Sequence, residues 1–208
     1  RARGGAFDAR IGANECVFGP SPMVVTAIAE AASDAWMYGD PENYTLRRAI
    51  ATHHGVEPDN IMVGEGIDGL FGYVVRIFVE SGDSVVTSQG AYPTFNYHVV
   101  GYDGQLVTVP YRDDREDVDA LLSTAAECQA KLIYLANPDN PMGTWWDAEK
   151  IDDMISRVPK GTLLVLDEAY GEFAEPGILP DIDVFNDRVL RFRTFSKAYG
   201  LAGIRLGY

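Results

Sequence analysis

The stretch Thr162-Leu163-Leu164-Val165-Leu166, followed at once by Asp167-Glu168-Ala169-Tyr170, determines the fold class. Its first part is an unbroken apolar run, which is typical of a β-strand buried on both faces of a sheet. The acid that follows would lie where burial is costly unless a cation or a hydrogen-bond donor meets it. Taken alone, Asp167 is equally well explained as the N-cap of the next element.

Outward from this strand, segments with strand and helix periodicity alternate along the chain. Strands are predicted at 60–63, 84–87, 105–109, 131–136, 162–166 and 188–195. Helices are predicted at 22–36, 43–54, 67–80, 94–100, 117–128 and 147–157. Such alternation indicates βαβ units and a mostly parallel sheet between two layers of helices. The predicted fold class is therefore α/β, a three-layer α/β/α arrangement whose ligands bind at the carboxyl ends of the strands.

The composition indicates a globular chain that avoids nucleic acid and membranes. Of its 208 residues, 31 are acidic and 17 basic, which gives a formal net charge of -14. Such a surface repels phosphate backbones and anionic lipid. No apolar run approaches the ~20 residues of a membrane span, and residues 1–10 lack the apolar core of a secretory signal. Because Cys16 and Cys128 suit a reducing compartment, we expect a cytoplasmic protein.

Two further strand ends carry residues with chemical potential. Ser196 and Lys197 follow the strand at 188–195. A lysine there is most often a solvated charge, but when it is kept partly out of water its pKa falls and its amine becomes a nucleophile. The segment 137–143, which reads NPDNPMG, follows the strand at 131–136 and predicts a rigid turn that presents amide side chains.

A match to G-x-G-x-x-G at 64–69 joins the first predicted strand to a helix. Glycines let the backbone approach a phosphate, and a helix N-terminus supplies free amide donors with a partial positive charge. The same pattern occurs in dinucleotide-binding folds, which need an acid at the end of the next strand to hold a ribose. The strand at 84–87 is followed instead by Ser88 and Gln89. The dinucleotide interpretation fails here, and the phosphate interpretation stands.

Taken together, a phosphate site, an amide turn, a buried carboxylate and a nucleophilic lysine are the parts that a pyridoxal-phosphate site needs. Further motifs agree in order and spacing over nearly the whole chain: Asn14-Glu15, Gly19-Pro20-Ser21-Pro22, Tyr38 before Asp40-Pro41, LRRAI at 46–50, GID at 66–68, YPTF at 92–95, NPDNPMG at 137–143, DEAY at 167–170, TFSK at 194–197 and GIR at 203–205. With these motifs the chain resembles the fold-type I aminotransferases, and among them the histidinol-phosphate aminotransferase group.

The resemblance implies a division into domains. Residues 36–208 would form an aspartate-aminotransferase-like large domain with a mostly parallel, mixed sheet. Residues 1–35 would form an N-terminal arm and helix that belong with a smaller domain. Family members continue into a small C-terminal domain whose arginine binds the substrate's α-carboxylate. We expect that domain to be missing from this chain, and the large domain to be truncated at its C-terminal end.

The resemblance also implies roles for the residues that match the motifs. Lys197 would hold pyridoxal 5'-phosphate covalently and then act as a general base, while Asp167 would pair with the protonated ring nitrogen. Tyr170 and Asn140 would hydrogen-bond the ring's phenolic oxygen, and Tyr92 would stack on the ring. The phosphate would be bound by Gly66, Ile67, Asp68, Ser196, Arg205 and, from the partner subunit of a homodimer, Tyr38.

The substrate is less well defined than the cofactor. The expected reaction moves an amino group between an amino acid or amino-alcohol phosphate and a 2-oxo acid. Phe18 stands where the family more often has tyrosine, which removes a hydroxyl near the substrate. Gly39 stands where the family often has proline, which loosens the turn that carries Tyr38.

Two alternatives to an aminotransferase remain open. A decarboxylase of the threonine-phosphate type shares all the cofactor motifs. A non-catalytic, aminotransferase-like sensor domain would accompany a basic helix-turn-helix segment, and the sequence contains none. The histidines His53, His54 and His98 have no metal-ligand spacing, so we expect no metal. Trp145 and Trp146 are expected to cover an apolar surface beside the amide turn.

Overall fold

Alternating helices and strands make up the computed structural model, which describes residues 11–208. In chain order they are α1 (Pro22–Ala31), α2 (Tyr44–His54), α3 (Gly66–Phe78), β1 (Ser84–Ser88), α4 (Pro93–Gly101), β2 (Gln105–Val109), α5 (Val118–Glu127), β3 (Leu132–Ala136), α6 (Ala148–Arg157), β4 (Leu163–Asp167) and β5 (Val189–Phe192). Short 3-10 helices lie at Ala32–Asp34, Pro58–Asn60 and Gly171–Phe173.

The strands form one five-stranded sheet in the order β2-β1-β3-β4-β5. Every neighbouring pair is parallel. Ala136 at the end of β3 pairs with Asp167, and Asp167 pairs with Phe192 at the end of β5. The carboxyl ends of these three strands therefore lie level, so the residues that follow them meet at one edge.

Helices cover both faces of the sheet. On one face, a core that includes Phe71 of α3 and Phe95 of α4 packs against Val165 of β4. On the other face, Leu121 of α5 and Ile151 of α6 belong to a second core. Because side chains alternate along a strand, each central strand contributes to both cores. The predicted three-layer α/β/α fold is confirmed.

Side-chain caps explain where the helices of the second layer begin. Asp117 precedes α5 and accepts a hydrogen bond from the backbone N–H of Ala120 at 3.0 Å. Asp147 precedes α6 and accepts one from the N–H of Lys150 at 2.9 Å. An aspartate in this position satisfies an amide that the helix leaves free and complements its positive end.

The predicted strand at 60–63 is wrong. Residues 58–60 form a 3-10 helix, and Gly64 makes only an isolated antiparallel bridge with Gly207. This bridge involves Gly64 alone and none of residues 61–63, so the apolar run at 61–63 has no partner strand. The other predicted strands are found with small shifts, the longest one, 188–195, being reduced to Val189–Phe192. Within residues 11–208, antiparallel pairing is limited to isolated bridges, which join Gly207 to Gly64 and to Thr194, and Arg112 to Arg115.

The N-terminal helix is shorter than predicted and lies exposed. The helix predicted at 22–36 ends at Ala31 and continues as a 3-10 turn to Asp34. None of the residues of α1 is buried. The first ten residues of the predicted 1–35 unit lie outside the described residues, and the boundary at 35/36 remains a prediction. No helix within 11–208 has the length and apolar character to cross a membrane.

Candidate active site

A cleft opens at the carboxyl ends of β3, β4 and β5, between the first turns of α3 and α4. Nine of the residues predicted to contact a cofactor line this cleft: Ile67, Asp68, Tyr92, Asn140, Asp167, Tyr170, Ser196, Lys197 and Arg205. Parallel sheets gather ligands at this edge because the strand ends leave polar groups free there. Residues far apart in the chain are therefore brought into a single site.

Asp167 is the last residue of β4 and the most buried acid facing the cleft, with an exposure of 4%. The hydroxyl of Tyr134 donates to its Oδ2 at 2.7 Å, and the backbone N–H of Ala169 donates to its Oδ1 at 2.9 Å. Burial raises the pKa of the Asp167 carboxyl from 3.8 to about 6, although both hydrogen bonds act in the opposite direction. A cation in contact with this carboxyl would therefore lower its pKa and stabilise its charged form.

Lys197 faces the same cleft from the loop after β5. Its Nζ donates to the backbone carbonyl of Asn14 at 3.1 Å and lies 5.5 Å from the centroid of the Tyr170 ring. The side chain of Asn14 donates through Nδ2 to the hydroxyl of Tyr170 at 2.8 Å. Asn14 thus contacts both the amine and the phenol. We predicted Asn14 only as part of a motif, and sequence reasoning missed its place in the site.

The start of α3 forms a cradle of donors at one end of the cleft. No side chain caps this helix, and the backbone N–H of Gly66 donates to the carbonyl of Gly64 at 2.8 Å, so the next amides of the first turn have no capping side chain to meet them. Gly66 has φ +73°, and a Cβ there would lie 2.6 Å from Nη2 of Arg205. Arg205 Nη1 donates to the hydroxyl of Ser196 at 3.4 Å. The glycine thus lets a guanidinium and a hydroxyl approach a helix N-terminus, which is an arrangement suited to a phosphate.

Gly207 packs directly against the backbone at the start of α3. A Cβ at Gly207 would lie 2.5 Å from the backbone nitrogen of Ile67, too close for any side chain. Gly64 and Gly207 exchange two backbone hydrogen bonds, with N···O distances of 3.0 and 3.1 Å. The carboxylate of Asp68 is 3.2 Å from Nε2 of His98. His98 thus offers this acid a partner beside the cradle.

The amide turn is held by side chains beneath it. Tyr111 donates to Asp139 Oδ1 at 3.0 Å, and the N–H of Met142 donates to Oδ2 at 3.1 Å. Glu116 accepts from the N–H of Ala136 at 2.8 Å and lies 2.5 Å from the hydroxyl of Ser88. Burial raises the pKa of Glu116 to about 8. These contacts fix the turn from which Asn140 reaches the cleft.

Aromatic side chains border the amide turn and the start of α4. Tyr92 is the N-cap residue of α4 and lines the cleft. Thr94 follows it, and its Oγ1 is buried in the same cleft without a hydrogen-bond partner. Trp146 packs against the second core as predicted, while Trp145 is 45% exposed. An orphaned hydroxyl in a polar cleft indicates a ligand atom that it would contact.

Two residues named from the sequence lie away from the cleft. Tyr38 is fully exposed, at 105%, and Phe18 is 92% exposed. Neither lines the cleft of its own chain. Among the described residues, no three or more His, Cys, Asp and Glu side chains are placed to hold a metal ion.

Fold and site together define a class: an α/β protein whose cleft suits a phosphorylated, nitrogen-containing ring that a lysine can bind covalently. Residues 9–208 match the family model for aminotransferase class I and II. The chain belongs to that family.

Curated relatives agree with the family assignment. The chain is 40% identical over 204 residues to a histidinol-phosphate aminotransferase of Anaeromyxobacter sp., covering 96% of this chain and 56% of the relative. It is 34% identical over 202 residues to the histidinol-phosphate aminotransferase of Staphylococcus aureus, covering 96% and 57%. The chain therefore spans about half the length of the curated relatives that it matches.

Solved structures give the same result. A histidinol-phosphate aminotransferase from Sinorhizobium meliloti, solved in complex with pyridoxal-5'-phosphate, is 59% identical with a TM-score of 0.94. The match covers 96% of this chain and 55% of that one. The L-threonine-O-3-phosphate decarboxylase of Porphyromonas gingivalis is 22% identical with a TM-score of 0.77, covering 90% of this chain and 58% of that one, and shares the fold alone.

Proposed function

We propose that the protein is a pyridoxal-phosphate-dependent aminotransferase of the histidinol-phosphate type. The observation that carries this proposal is the placement of Lys197 and the buried Asp167 in one cleft that ends in a phosphate cradle. The relative from Sinorhizobium meliloti, which is 59% identical, was solved with pyridoxal-5'-phosphate. Both lines of support concern the cofactor-binding half of the relatives' length.

The residues present fit this cofactor. The uncapped start of α3, the Ser196 hydroxyl and the Arg205 guanidinium would hold its phosphate. Asp167 would hold the proton of the ring nitrogen, and Tyr92 would cover the ring. When bound, pyridoxal phosphate supplies an aldehyde that takes up an amino group and a ring that accepts electrons from the substrate's Cα. The unpaired hydroxyl of Thr94 offers a further donor in the cleft.

Each catalytic side chain then has a defined task. The Lys197 amine would attach to the cofactor and, once released, carry a proton between substrate atoms as a general base and acid. Tyr170, whose ring faces Lys197, would donate a hydrogen bond from its hydroxyl and limit the directions in which the amine can move. Asp167 would remain charged because its partner in the cleft is cationic.

The aminotransferase proposal is better supported than the two alternatives. Relatives named as aminotransferases reach 40% and 59% identity, whereas the decarboxylase shares only the fold at 22%. The net charge of -14 disfavours the nucleic-acid binding that a regulatory sensor domain would serve. For substrates we propose a phosphorylated amino alcohol or an aromatic amino acid as donor and a 2-oxo acid as acceptor.

We further propose a cytoplasmic homodimer. Tyr38 is fully exposed and outside its own cleft, which supports a role at the cleft of a partner subunit. Two free cysteines, Cys16 and Cys128, support a reducing compartment. Helix α1 buries none of its residues, which supports grouping residues 1–35 with a smaller domain.

The test is borohydride reduction of the full-length protein with added pyridoxal phosphate, followed by mass mapping. We expect the reduced cofactor on Lys197 and on no other lysine. The Lys197→Ala variant should keep the circular dichroism spectrum and lose the covalent product. A wild-type protein that gains no cofactor mass would refute the proposal.

Activity is tested in the same preparation. Histidinol phosphate, phenylalanine and phosphothreonine are offered with 2-oxoglutarate, and glutamate and carbon dioxide are measured. Glutamate formation from histidinol phosphate or phenylalanine is expected. Carbon dioxide release from phosphothreonine without glutamate would favour the decarboxylase instead.

A further inference from the structure

Tyr134 lies beneath the cleft and takes no part in lining it. It belongs to β3 and is 0% exposed. Its ring stacks on Phe95 with centroids 4.8 Å apart at 18°, and it meets the ring of Phe71 edge-on at 5.7 Å and 82°. These aromatic contacts hold the ring in one place. Its hydroxyl therefore has a fixed direction, toward Asp167 Oδ2 at 2.7 Å.

Neighbouring acids favour the protonated form of Asp167, and the hydrogen bond from the Tyr134 hydroxyl opposes them. Glu168 adjoins it in the chain, and the negative charge of Glu168 raises the pKa of Asp167. Beneath it, Glu116 and Asp139 are further acids that disfavour negative charge in this region. The charge of Lys197 lowers the Asp167 pKa, but less strongly than the two hydrogen bonds do.

The donors to Asp167 are few. Within residues 11–208 they are the Tyr134 hydroxyl and the backbone N–H of Ala169. The nearby arginines, Arg191 and Arg193, are paired with Glu168 instead. Tyr134 is therefore the side chain that supports the charged form of Asp167 from within the protein. A phenylalanine at position 134 would remove this hydroxyl while leaving the backbone amide of Ala169 in place.

Building on the proposed function, we infer that Tyr134 is a positioning residue, whose hydroxyl orients the Asp167 carboxylate and keeps it charged for the ring nitrogen of the cofactor. Hydrogen bonds to an ionised acceptor are stronger than those to a neutral one. Loss of the hydroxyl would leave Asp167 to take up a proton nearer neutral pH. A neutral carboxylic acid would no longer hold the proton of the ring nitrogen.

The Tyr134→Phe variant tests this inference because it removes one oxygen and keeps the ring and its packing. The dissociation constant of pyridoxal phosphate is measured from pH 5 to 9 in the full-length protein freed of cofactor. Its 1-deaza analogue, which carries carbon in place of the ring nitrogen, is measured in parallel. The exposed Tyr97→Phe serves as the matched control.

We expect pyridoxal phosphate to bind about tenfold more weakly to Tyr134→Phe at pH 7, the loss of a hydrogen bond to a charged group. The pH below which binding weakens should rise by about one unit. The 1-deaza analogue should bind both proteins alike, because it has no ring nitrogen for Asp167 to meet. Tyr97→Phe should match the wild type for both ligands.

Two outcomes would overturn the inference: an unchanged pH dependence, or an equal loss of affinity for both ligands, which would make Tyr134 a structural residue only. If the variant does not fold, the hydroxyl proton resonance of Tyr134 in the wild type decides. The chemical shift of this proton should change when pyridoxal phosphate binds and stay the same when the analogue binds. An equal change with both ligands would overturn the inference. A wild type that binds neither ligand would instead refute the proposed function.

Discussion

Asp167 and Glu168 are neighbours in the chain and both are buried, yet their surroundings are opposite. Glu168 is 0% exposed and is bound by Arg191 and by Arg193, whose Nε lies 3.0 Å from Oε2. Asp167 has hydrogen-bond donors but no arginine. Strand alternation separates the two side chains: Glu168 follows the side of β4 that carries Leu164 and Leu166, and Asp167 the side that carries Val165.

The presence or absence of an internal cationic partner distinguishes a structural buried acid from a functional one. The Glu168 carboxylate has its counter-charges inside the protein, on Arg191 and Arg193, and needs none from a ligand. Asp167 has no such ion pair: burial raises its pKa to about 6, and a cation in direct contact with its carboxylate would lower that pKa. A buried acid that the protein leaves uncompensated marks a place where a ligand completes the charge balance.

The largest expected effect is on stability, from Glu168→Gln. The substitution removes the Glu168 counter-charge from the partly buried Arg191 and Arg193, of which Arg193 keeps a second partner, Glu172, at 3.9 Å. Breaking a buried pair costs about 3 to 5 kcal/mol of unfolding free energy, and because two ion pairs are lost here we expect a loss of about 5 kcal/mol. Urea denaturation measures the change. Asp59→Asn is the control, because Asp59 is 98% exposed in its pair with Arg47 and should cost less than about 1 kcal/mol. Equal losses for both variants would remove the contrast between the two acids.

The next effect is on catalysis, from Asp167→Asn. If Asp167 completes the charge balance of a bound cofactor, kcat/KM for transamination should fall by about 10²- to 10³-fold, the usual cost of removing a preorganised electrostatic contact. The same variant should be at least as stable as the wild type at pH 7 when free of cofactor. Steady-state kinetics and urea denaturation on one preparation measure both. A variant that unfolds more easily would make Asp167 a structural acid like Glu168.

A third prediction concerns the pH dependence of stability. The folded-state pKa of Asp167, about 6, lies above its ordinary value of 3.8. The folded state therefore binds the proton more tightly, so the contribution of Asp167 is most favourable below pH 4 and is lost as the pH rises through 6. The loss amounts to about 3 kcal/mol. The difference between wild type and Asp167→Asn, measured without cofactor from pH 4 to 7, isolates it. A flat difference would show that Asp167 does not titrate there.

The smallest expected effect is from Asn14→Ala, which tests a contact in the same cleft as Asp167. The substitution removes the 2.8 Å hydrogen bond to the Tyr170 hydroxyl and keeps the backbone carbonyl that meets Lys197. A net loss of about 1 kcal/mol corresponds to roughly fivefold in kcat/KM. Stability should be unchanged because Asn14 is exposed. Full activity in this variant would make the contact incidental.

The layers and most of the cleft could be predicted because their signals are local. A continuous apolar run identifies β4, and the polar residues that follow β3, β4 and β5 must meet where those strands end level. The strand at 105–109 was predicted to the residue. Nine cleft residues were named in advance through motifs that place a distinctive residue at a strand end or a helix start.

What could not be predicted depends on contacts across the fold. Tyr134 looks like one more apolar residue of β3, and only the packing of Phe71 and Phe95 shows where its hydroxyl points. Glu116 lies in a run of charged residues at 112–117, yet it is 2% exposed. Asn14 is distant in sequence from both residues that it contacts. The apolar run at 61–63 has the pattern of a strand but no adjacent strand to pair with.

The close approach of Gly207 to the backbone of Ile67 has a consequence for biosynthesis. The helix start that would bind the phosphate leaves the ribosome first, whereas Arg205 and Gly207, which complete it, lie much later in the chain and leave later. Chains emerge from the N-terminus onward and domains fold as units. The sheet can begin to assemble while the anion-binding donors are still incomplete. Cofactor capture is therefore a late event in the maturation of the nascent polypeptide, after translation has passed residue 207.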